Sequence, residues 1–197
     1  MLYRVGNALV RFVARVFLGL KVSGAENEPK DGSLIVCANH ISFLDPVLIC
    51  AFLKRRVKFM AKSELFKNKL FNKIILCYGA IPVKRGMNDL GAIRQAMQLL
   101  KNGGVLGIFP FGRRVREGQA EEESQAKTGI AMLAARTQSA VLPVRVLTKR
   151  GRVGLWCGYR IVVGEPIAYE DLGFVTGGHE EYGPVSDRIM EQVMSLS

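Results

Sequence analysis

His40 and Asp45, in the segment NHISFLD, are the residues whose types and spacing most directly suggest chemistry. A histidine can accept a proton near neutral pH without special tuning. A carboxylate on its far nitrogen fixes the ring's tautomer and stabilises the imidazolium that forms. The four residues between them allow a turn to fold the carboxylate back onto the ring. The pair is therefore a candidate general base with its orienting carboxylate.

Each member of this segment also has an ordinary structural interpretation. Asp45 directly precedes Pro46, so it could simply cap a helix. His40 could be a hydrogen-bonded structural histidine. Ser42 is a rival nucleophile, although a position two residues from His40 favours a role in the turn.

Two basic loops follow other apolar runs of the chain. Lys84 and Arg85 come after AIPV, and Arg113 and Arg114 come after VLGIFP. Taken separately, each group is typical of a solvated loop. Open α/β sheets, however, build their sites beyond the carboxyl ends of strands, and arginine offers a fork of donors that matches phosphate oxygens. We therefore expect a phosphate-binding site beside His40.

The elements that must position these residues alternate in a way that predicts an α/β fold. A chain of 197 residues suits one domain, with a largely buried mixed sheet flanked by helices. A late hairpin or pair of strands is expected within 152–167, and helices over 124–138 and 184–195. The predicted strands are 34–38, 57–61, 80–84, 105–109 and 140–147.

Residues 1–21 predict an amphipathic helix that precedes the domain of residues 22–197. Arg4, Arg11 and Arg15 recur at spacings of seven and four, which places them on one helical face, and apolar side chains occupy the rest. The arginines interrupt every window long enough to span a bilayer. The pattern favours a helix lying in a membrane interface. The alternative is a helix that packs on the domain and leaves its arginines in water.

The charge of the chain favours an anionic partner. Lys and Arg number 28 against 17 Asp and Glu, giving a net charge of +11. Nucleic acid, an anionic membrane surface or a phosphorylated substrate would each fit. A recognition helix and a basic run with interleaved aromatics are lacking, so we expect no nucleic-acid partner. The four cysteines include no CxxC pair, and no metal site is predicted.

Four blocks in order carry a resemblance to a known family. NHISFLD matches the NHxxxxD signature of the glycerolipid acyltransferases, and GAIPVKRG, VLGIFPFGRRVREG and VLPV resemble the second, third and fourth blocks. The chain as a whole resembles the 1-acylglycerol-3-phosphate acyltransferases, also called lysophosphatidic acid acyltransferases. The resemblance covers roughly residues 20 to 170, which is the size of a domain.

This resemblance implies transfer of a fatty acyl group from acyl-CoA or acyl carrier protein to the sn-2 hydroxyl of 1-acylglycerol 3-phosphate, giving phosphatidic acid. No cofactor beyond that acyl donor is implied. His40 would remove the hydroxyl proton, Asp45 would orient it, and Arg85 and Arg114, with Lys84, would hold the phosphate. The expected location is peripheral, on the cytoplasmic face of a membrane. Alternative acceptors are glycerol 3-phosphate and other lysophospholipids.

The third block departs from the family pattern, which is usually FPEGTR. Phe111 stands where the family has Glu and Arg113 where it has Thr, while Gly112 and Arg114 match. Phenylalanine cannot hydrogen-bond a glycerol hydroxyl or pin an arginine, so reduced activity is expected, and a catalytically weak lipid-binding relative stays an alternative. Asn39 supports either the turn or the hydrogen bonds of the site.

Overall fold

The computed structural model describes residues 2–84, 89–112, 114, 124–149, 154 and 156–197. Helices and strands alternate along most of this length. In chain order they are α1 Leu2–Leu18, β1 Lys21–Ser23, β2 Leu34–Ala38, α2 Asp45–Phe52, β3 Val57–Lys62, α3 Lys69–Tyr78, β4 Ile81–Val83, α4 Leu90–Lys101, β5 Val105–Ile108, α5 Ser124–Thr137, β6 Ala140–Thr148, β7 Tyr159–Val163 and α6 Tyr182–Ser195.

These strands form one seven-stranded sheet in the order β1-β7-β6-β2-β5-β3-β4. β6 and β7 pair antiparallel, and all the other neighbours pair parallel. Every residue of β2, at the centre, is buried, as an apolar run covered on both faces requires. The predicted α/β class, with a mixed sheet flanked by helices, is confirmed.

The strand predictions hold to within one residue at each end for the five apolar runs. The segment 152–167 is different, because its described part contains one strand, β7, which pairs with β6 rather than with a neighbour inside the segment. Residues 152, 153 and 155 lie outside the described residues. β1 was not predicted, since three residues are too few to show a period of two.

Side chains of β2 alternate between two apolar clusters, one on each face of the sheet. Ile35 and Cys37 join the cluster that α4, α5 and α6 cover. Leu34, Val36 and Ala38 join the cluster that α1 and α2 cover. The chain leaves β2 after Ala38, whose side chain lies on the α2 side of the sheet. The candidate site lies on that side, between the end of β2 and the start of α2.

α1 packs on the domain, but it does not leave all of its arginines in water as the packing alternative expects. Arg11 donates to the carbonyl of Ala51 at 2.8 Å, and the Arg15 guanidinium lies 5.4 Å from the centroid of the Phe52 ring. Both partners lie in the last turn of α2, where helix carbonyls lack intrahelical partners and carry partial negative charge. Arg11 and Arg15 therefore both contact the end of α2, while Arg15 itself stays exposed.

The apolar face of α1 is the one that is exposed. Phe12 and Leu9 each keep 64% of their surface accessible. The other exposed apolar side chains of this face are Val5, Val13, Val16 and Phe17. The helix ends at Leu18, so the predicted segment 1–21 also contains the start of β1 at Lys21.

Candidate active site

The side chains of His40 and Asp45 meet just beyond the carboxyl end of β2. His40 Nδ1 lies 2.8 Å from Asp45 Oδ2. The Asp45 side chain is fully buried, whereas His40 keeps 14% of its side chain exposed. An ionised carboxylate can only accept, so Nδ1 carries the ring proton and the lone pair lies on Nε2. The predicted turn does fold the carboxylate back onto the ring.

Asp45 does not cap α2. Its Oδ2 accepts the backbone N–H groups of Ile41 and Ser42, each at 2.7 Å. Its Oδ1 accepts the hydroxyl of Tyr159 at 3.0 Å. The capping position is Leu44, which makes no side-chain hydrogen bond to the helix. The carboxylate therefore binds backward, onto the turn and the histidine, and the capping interpretation is wrong.

Ser42 belongs to the turn. Its hydroxyl oxygen accepts the N–H of Leu44 at 3.1 Å, and its carbonyl accepts the N–H of Asp45 at 3.3 Å. Such local bonds from a serine are typical of turns. The geometry supports the turn role expected for Ser42.

Asn39 fixes the point at which the chain leaves β2. Its Nδ2 donates to the carbonyl of Val146 at 2.8 Å, and its Oδ1 accepts the N–H of Val146 at 2.6 Å. The side chain thus imitates one more pair of strand hydrogen bonds to β6. Because Asn39 directly precedes His40, these two bonds also fix the position of the His40 backbone. Of the two roles expected for Asn39, the structure favours support of the turn.

A stack of three rings holds His40 from the side. The imidazole and the Phe109 ring are 4.1 Å apart between centroids and inclined by 18°. Phe59 stacks on Phe109 in turn, at 4.8 Å and 15°. Gly107 makes room for this stack, since a Cβ there would lie 2.4 Å from the Phe59 ring. Through Phe109, the third block thus supplies the aromatic ring on which the imidazole of His40 stacks.

Arg114 reaches the same region through Phe43, which lies inside the NHISFLD segment. Its guanidinium carbon is 3.7 Å from the centroid of the Phe43 ring, a close cation–π contact. Arg114 is exposed, so its remaining donors can meet an anion. The predicted residues Arg85 and Arg113 lie outside the described residues.

Lys84 follows β4 at the far edge of the sheet. Its backbone N–H donates to Asp89 Oδ2 at 2.9 Å, close to the start of α4, and its side chain is exposed. Three strand spacings separate β4 from β2, about 14 Å across the sheet. Among the described basic residues of the predicted phosphate site, Arg114 is therefore the one brought to the His40 turn, and Lys84 is not.

Phe111 and Gly112 form a tight turn after β5. The N–H of Gly112 donates to the carbonyl of Phe109 at 2.9 Å, and Gly112 adopts a φ of 61°, which favours glycine. Phe111 is 7% exposed and belongs to the cluster under α4, α5 and α6. Phe109 belongs to the opposite cluster. The two phenylalanines of this block therefore pack on opposite faces of the sheet.

Sequence reasoning missed Tyr159 and Phe109 as site residues. A tyrosine inside an apolar strand carries a hydroxyl that needs a partner when it is buried, and this was the available signal for Tyr159. Phe109 had no such signal, because one phenylalanine at a strand end is ordinary core.

The arrangement combines an imidazole, a fully bonded carboxylate behind it and a cation nearby. It can remove a proton from a hydroxyl group while an anionic part of the same molecule is held by Arg114.

Comparison with known proteins finds acyltransferases similar to this chain. The chain is 25% identical over 187 residues to the 1-acyl-sn-glycerol-3-phosphate acyltransferase of Bacillus subtilis (strain 168), covering 90% of this chain and 88% of the relative. It is 30% identical over 147 residues to the protein of that name from Streptococcus pneumoniae, covering 73% of this chain and 53% of the relative.

A solved structure has a similar fold. The crystal structure of the 1-acyl-sn-glycerophosphate (LPA) acyltransferase PlsC from Thermotoga maritima matches with a TM-score of 0.65 at 25% identity, covering 98% of this chain and 95% of that one. The family model described as Acyltransferase matches residues 19–147, which include β2, the His40 turn and the Phe109 to Arg114 loop. The chain belongs to this acyltransferase family.

Proposed function

We propose that this protein transfers a fatty acyl group from a thioester to the sn-2 hydroxyl of 1-acylglycerol 3-phosphate, forming phosphatidic acid. The observation that carries the proposal is the 2.8 Å contact between His40 Nδ1 and Asp45 Oδ2, which leaves Nε2 as a base. The names of the Bacillus subtilis and Thermotoga maritima relatives support the choice of acceptor.

In the proposed reaction, His40 Nε2 takes the proton of the acceptor hydroxyl as its oxygen attacks the thioester carbonyl. Asp45 stabilises the imidazolium across the Nδ1 hydrogen bond. The tetrahedral adduct then collapses, the C–S bond breaks, and the imidazolium gives its proton to the leaving sulfur, which departs as a thiol. No acyl-enzyme forms, which is consistent with the turn contacts made by Ser42.

The acceptor phosphate is proposed to bind Arg114, with Arg85 as its partner. The guanidinium of Arg114, stacked on Phe43, is held beside the turn that carries His40. Holding the phosphate there makes proton removal effectively intramolecular. Lys84 is proposed as an outer contact for anionic groups, given its place at the sheet edge. The donor is acyl-CoA or acyl carrier protein, and no further cofactor is required.

We also propose that the protein binds the cytoplasmic face of an anionic membrane, through α1. Its apolar face is exposed, with Phe12 and Leu9 each 64% accessible, and the net charge is +11. Trp156, which is 65% exposed, donates its backbone N–H to the carbonyl of Phe17 at 2.9 Å and extends this surface. None of the described helices has the length and apolar character that a bilayer-spanning segment needs.

We propose that Phe111 stabilises the loop after β5 by packing and does not contact the acceptor. Its side chain packs with Ile108 and the helices on the face of the sheet opposite Phe109. Reduced activity relative to a family member with Glu at this position stays a prediction.

The experiment is product identification by mass spectrometry after incubation with 1-acylglycerol 3-phosphate and either acyl-CoA or acylated carrier protein. Phosphatidic acid is the expected product, and His40→Ala should abolish it while the fold is kept. His179→Ala, which removes the other histidine of the chain, is the matched control and should keep activity. Turnover with other acceptors but not this one would contradict the substrate, and full activity of His40→Ala would contradict the base.

A further inference from the structure

Tyr159 contacts the Asp45 carboxylate on the side away from His40. The Tyr159 side chain is fully buried in the apolar cluster that also holds Val36 and Ala38. Its hydroxyl lies 3.0 Å from Asp45 Oδ1, and because a carboxylate only accepts, the hydroxyl donates. Tyr159 opens β7, which lies beyond the segment that matches the family model.

The two oxygens of Asp45 have separate tasks. Oδ2 accepts His40 Nδ1 and the N–H groups of Ile41 and Ser42. Oδ1 accepts Tyr159. The bonds to Oδ2 resist rotation of the carboxylate about its Cβ–Cγ bond, and the bond to Oδ1 adds a second, buried anchor on the opposite oxygen that helps to fix its plane. Burial, and then the charge of Asp45, raise the pKa of the Tyr159 hydroxyl, so that it stays a donor.

We propose that Tyr159 is a positioning residue for the His40–Asp45 pair, which holds the carboxylate in the plane that the imidazole needs. This inference rests on the proposed role of His40 as the base. Tyr159 is fully buried, so it acts through Asp45 rather than by contact with the substrate.

A hydroxyl that donates to Asp45 also makes the carboxylate a weaker acceptor. Without the hydroxyl, Asp45 is a stronger acceptor and stabilises the imidazolium form of His40 more. The His40–Asp45 pair should therefore lose the imidazolium proton at a higher pH. Among the described residues, the titratable neighbours of the hydroxyl are Asp45 and Cys157, and Asp45 pairs with His40. A loss of packing alone would not move this titration.

The test compares Tyr159→Phe with Tyr78→Phe in the full-length protein. Tyr78 is a matched control, because its hydroxyl also donates to a side-chain oxygen, that of Asn7, at 2.9 Å. Tyr159→Phe should lower kcat roughly tenfold, as loss of a hydrogen bond to a charged group predicts, with KM for both substrates unchanged. Tyr78→Phe should change neither.

The second readout is an NMR titration of histidine ring nitrogens. The chain has two histidines, so His40→Ala assigns the signals. The His40 midpoint should move to higher pH in Tyr159→Phe. Global replacement of tyrosine by 3-fluorotyrosine, whose hydroxyl is a stronger donor, should move it to lower pH without any change of sequence.

An unchanged midpoint in both samples, or an unchanged kcat in a folded Tyr159→Phe protein, would overturn the inference. Failure of the proposed function gives a different result, since either the unaltered protein would form no phosphatidic acid or His40→Ala would retain activity, whatever Tyr159 does.

Discussion

The imidazole of His40 and the ring of Phe109 lie face to face, with centroids 4.1 Å apart and planes inclined by 18°. In the reaction proposed above, the contact matters most after His40 has taken a proton, because an imidazolium is attracted to the negative face of an aromatic ring. Phe109 therefore acts on the charged form of the histidine as well as on its orientation.

Phe109→Leu should lower kcat roughly fivefold, because leucine fills much of the space but has no aromatic face. Steady-state kinetics with both substrates measure this change. Phe174→Leu is the control, since Phe174 stacks on Tyr169 at 5.6 Å in another part of the chain. Equal kinetics for the two variants would show that the stack is packing only.

Phe111→Glu should destabilise the protein by about 3 kcal/mol, because it places a carboxylate among apolar side chains. Phe111→Leu should cost about 1 kcal/mol. Urea unfolding followed by circular dichroism measures both values. Unchanged stability of the glutamate variant together with a higher kcat would mean that position 111 faces the acceptor.

Phe12→Asp should weaken binding to anionic vesicles about tenfold, because Phe12 is 64% exposed on the apolar face of α1. Vesicle co-sedimentation measures the affinity. Leu90→Asp is the control, since Leu90 is 69% exposed on α4, on the other side of the sheet. Loss of binding in both variants, or in neither, would argue against α1 as the docking surface.

Glu181 should show a local acid transition in the segment before α6. Hydrogen bonds from the Thr176 hydroxyl, and then from the N–H groups of Thr176 and Val175, lower the pKa of Glu181 to about 2. Since the folded pKa lies below the ordinary value, the stabilisation is complete above that value and is lost as the pH falls through about 2.

Amide NMR of Val175 and Thr176 measures this transition. The expected midpoint is near pH 2, and Glu181→Gln should abolish it. A midpoint near 4.3, the value of an unperturbed glutamate, would show that these bonds do not hold in solution.

The pairing of His40 with Asp45 could be predicted because it is local, so that a turn of a few residues suffices to form it. Tyr159 could not, because only the pairing of β7 with β6 brings it to Asp45. Charge and spacing predicted Arg114 correctly as a neighbour of the turn, but not that Phe43 would hold it.

The amphipathic pattern of α1 was predicted, yet its orientation was not. A helical period of 3.6 in the apolar residues shows that the helix has two different faces. It does not show which face packs on the domain. Asn7 and Arg11 donate to carbonyls at the end of α2, and the face that carries them meets the domain while the apolar face is exposed. Phe111 is a similar case, because the motif gives its position in the loop but not the face of the sheet on which it packs.

The pairing of β1 with β7, in which Lys21 lies opposite Arg160, joins the beginning of the domain to its end. During synthesis, β1 has no strand partner until most of the chain has left the ribosome. Contacts between such distant segments form late and slow the folding of a chain. Throughout that interval the exposed apolar face of α1 lies on an unfinished domain, so a membrane or a chaperone can meet it before Tyr159 reaches Asp45.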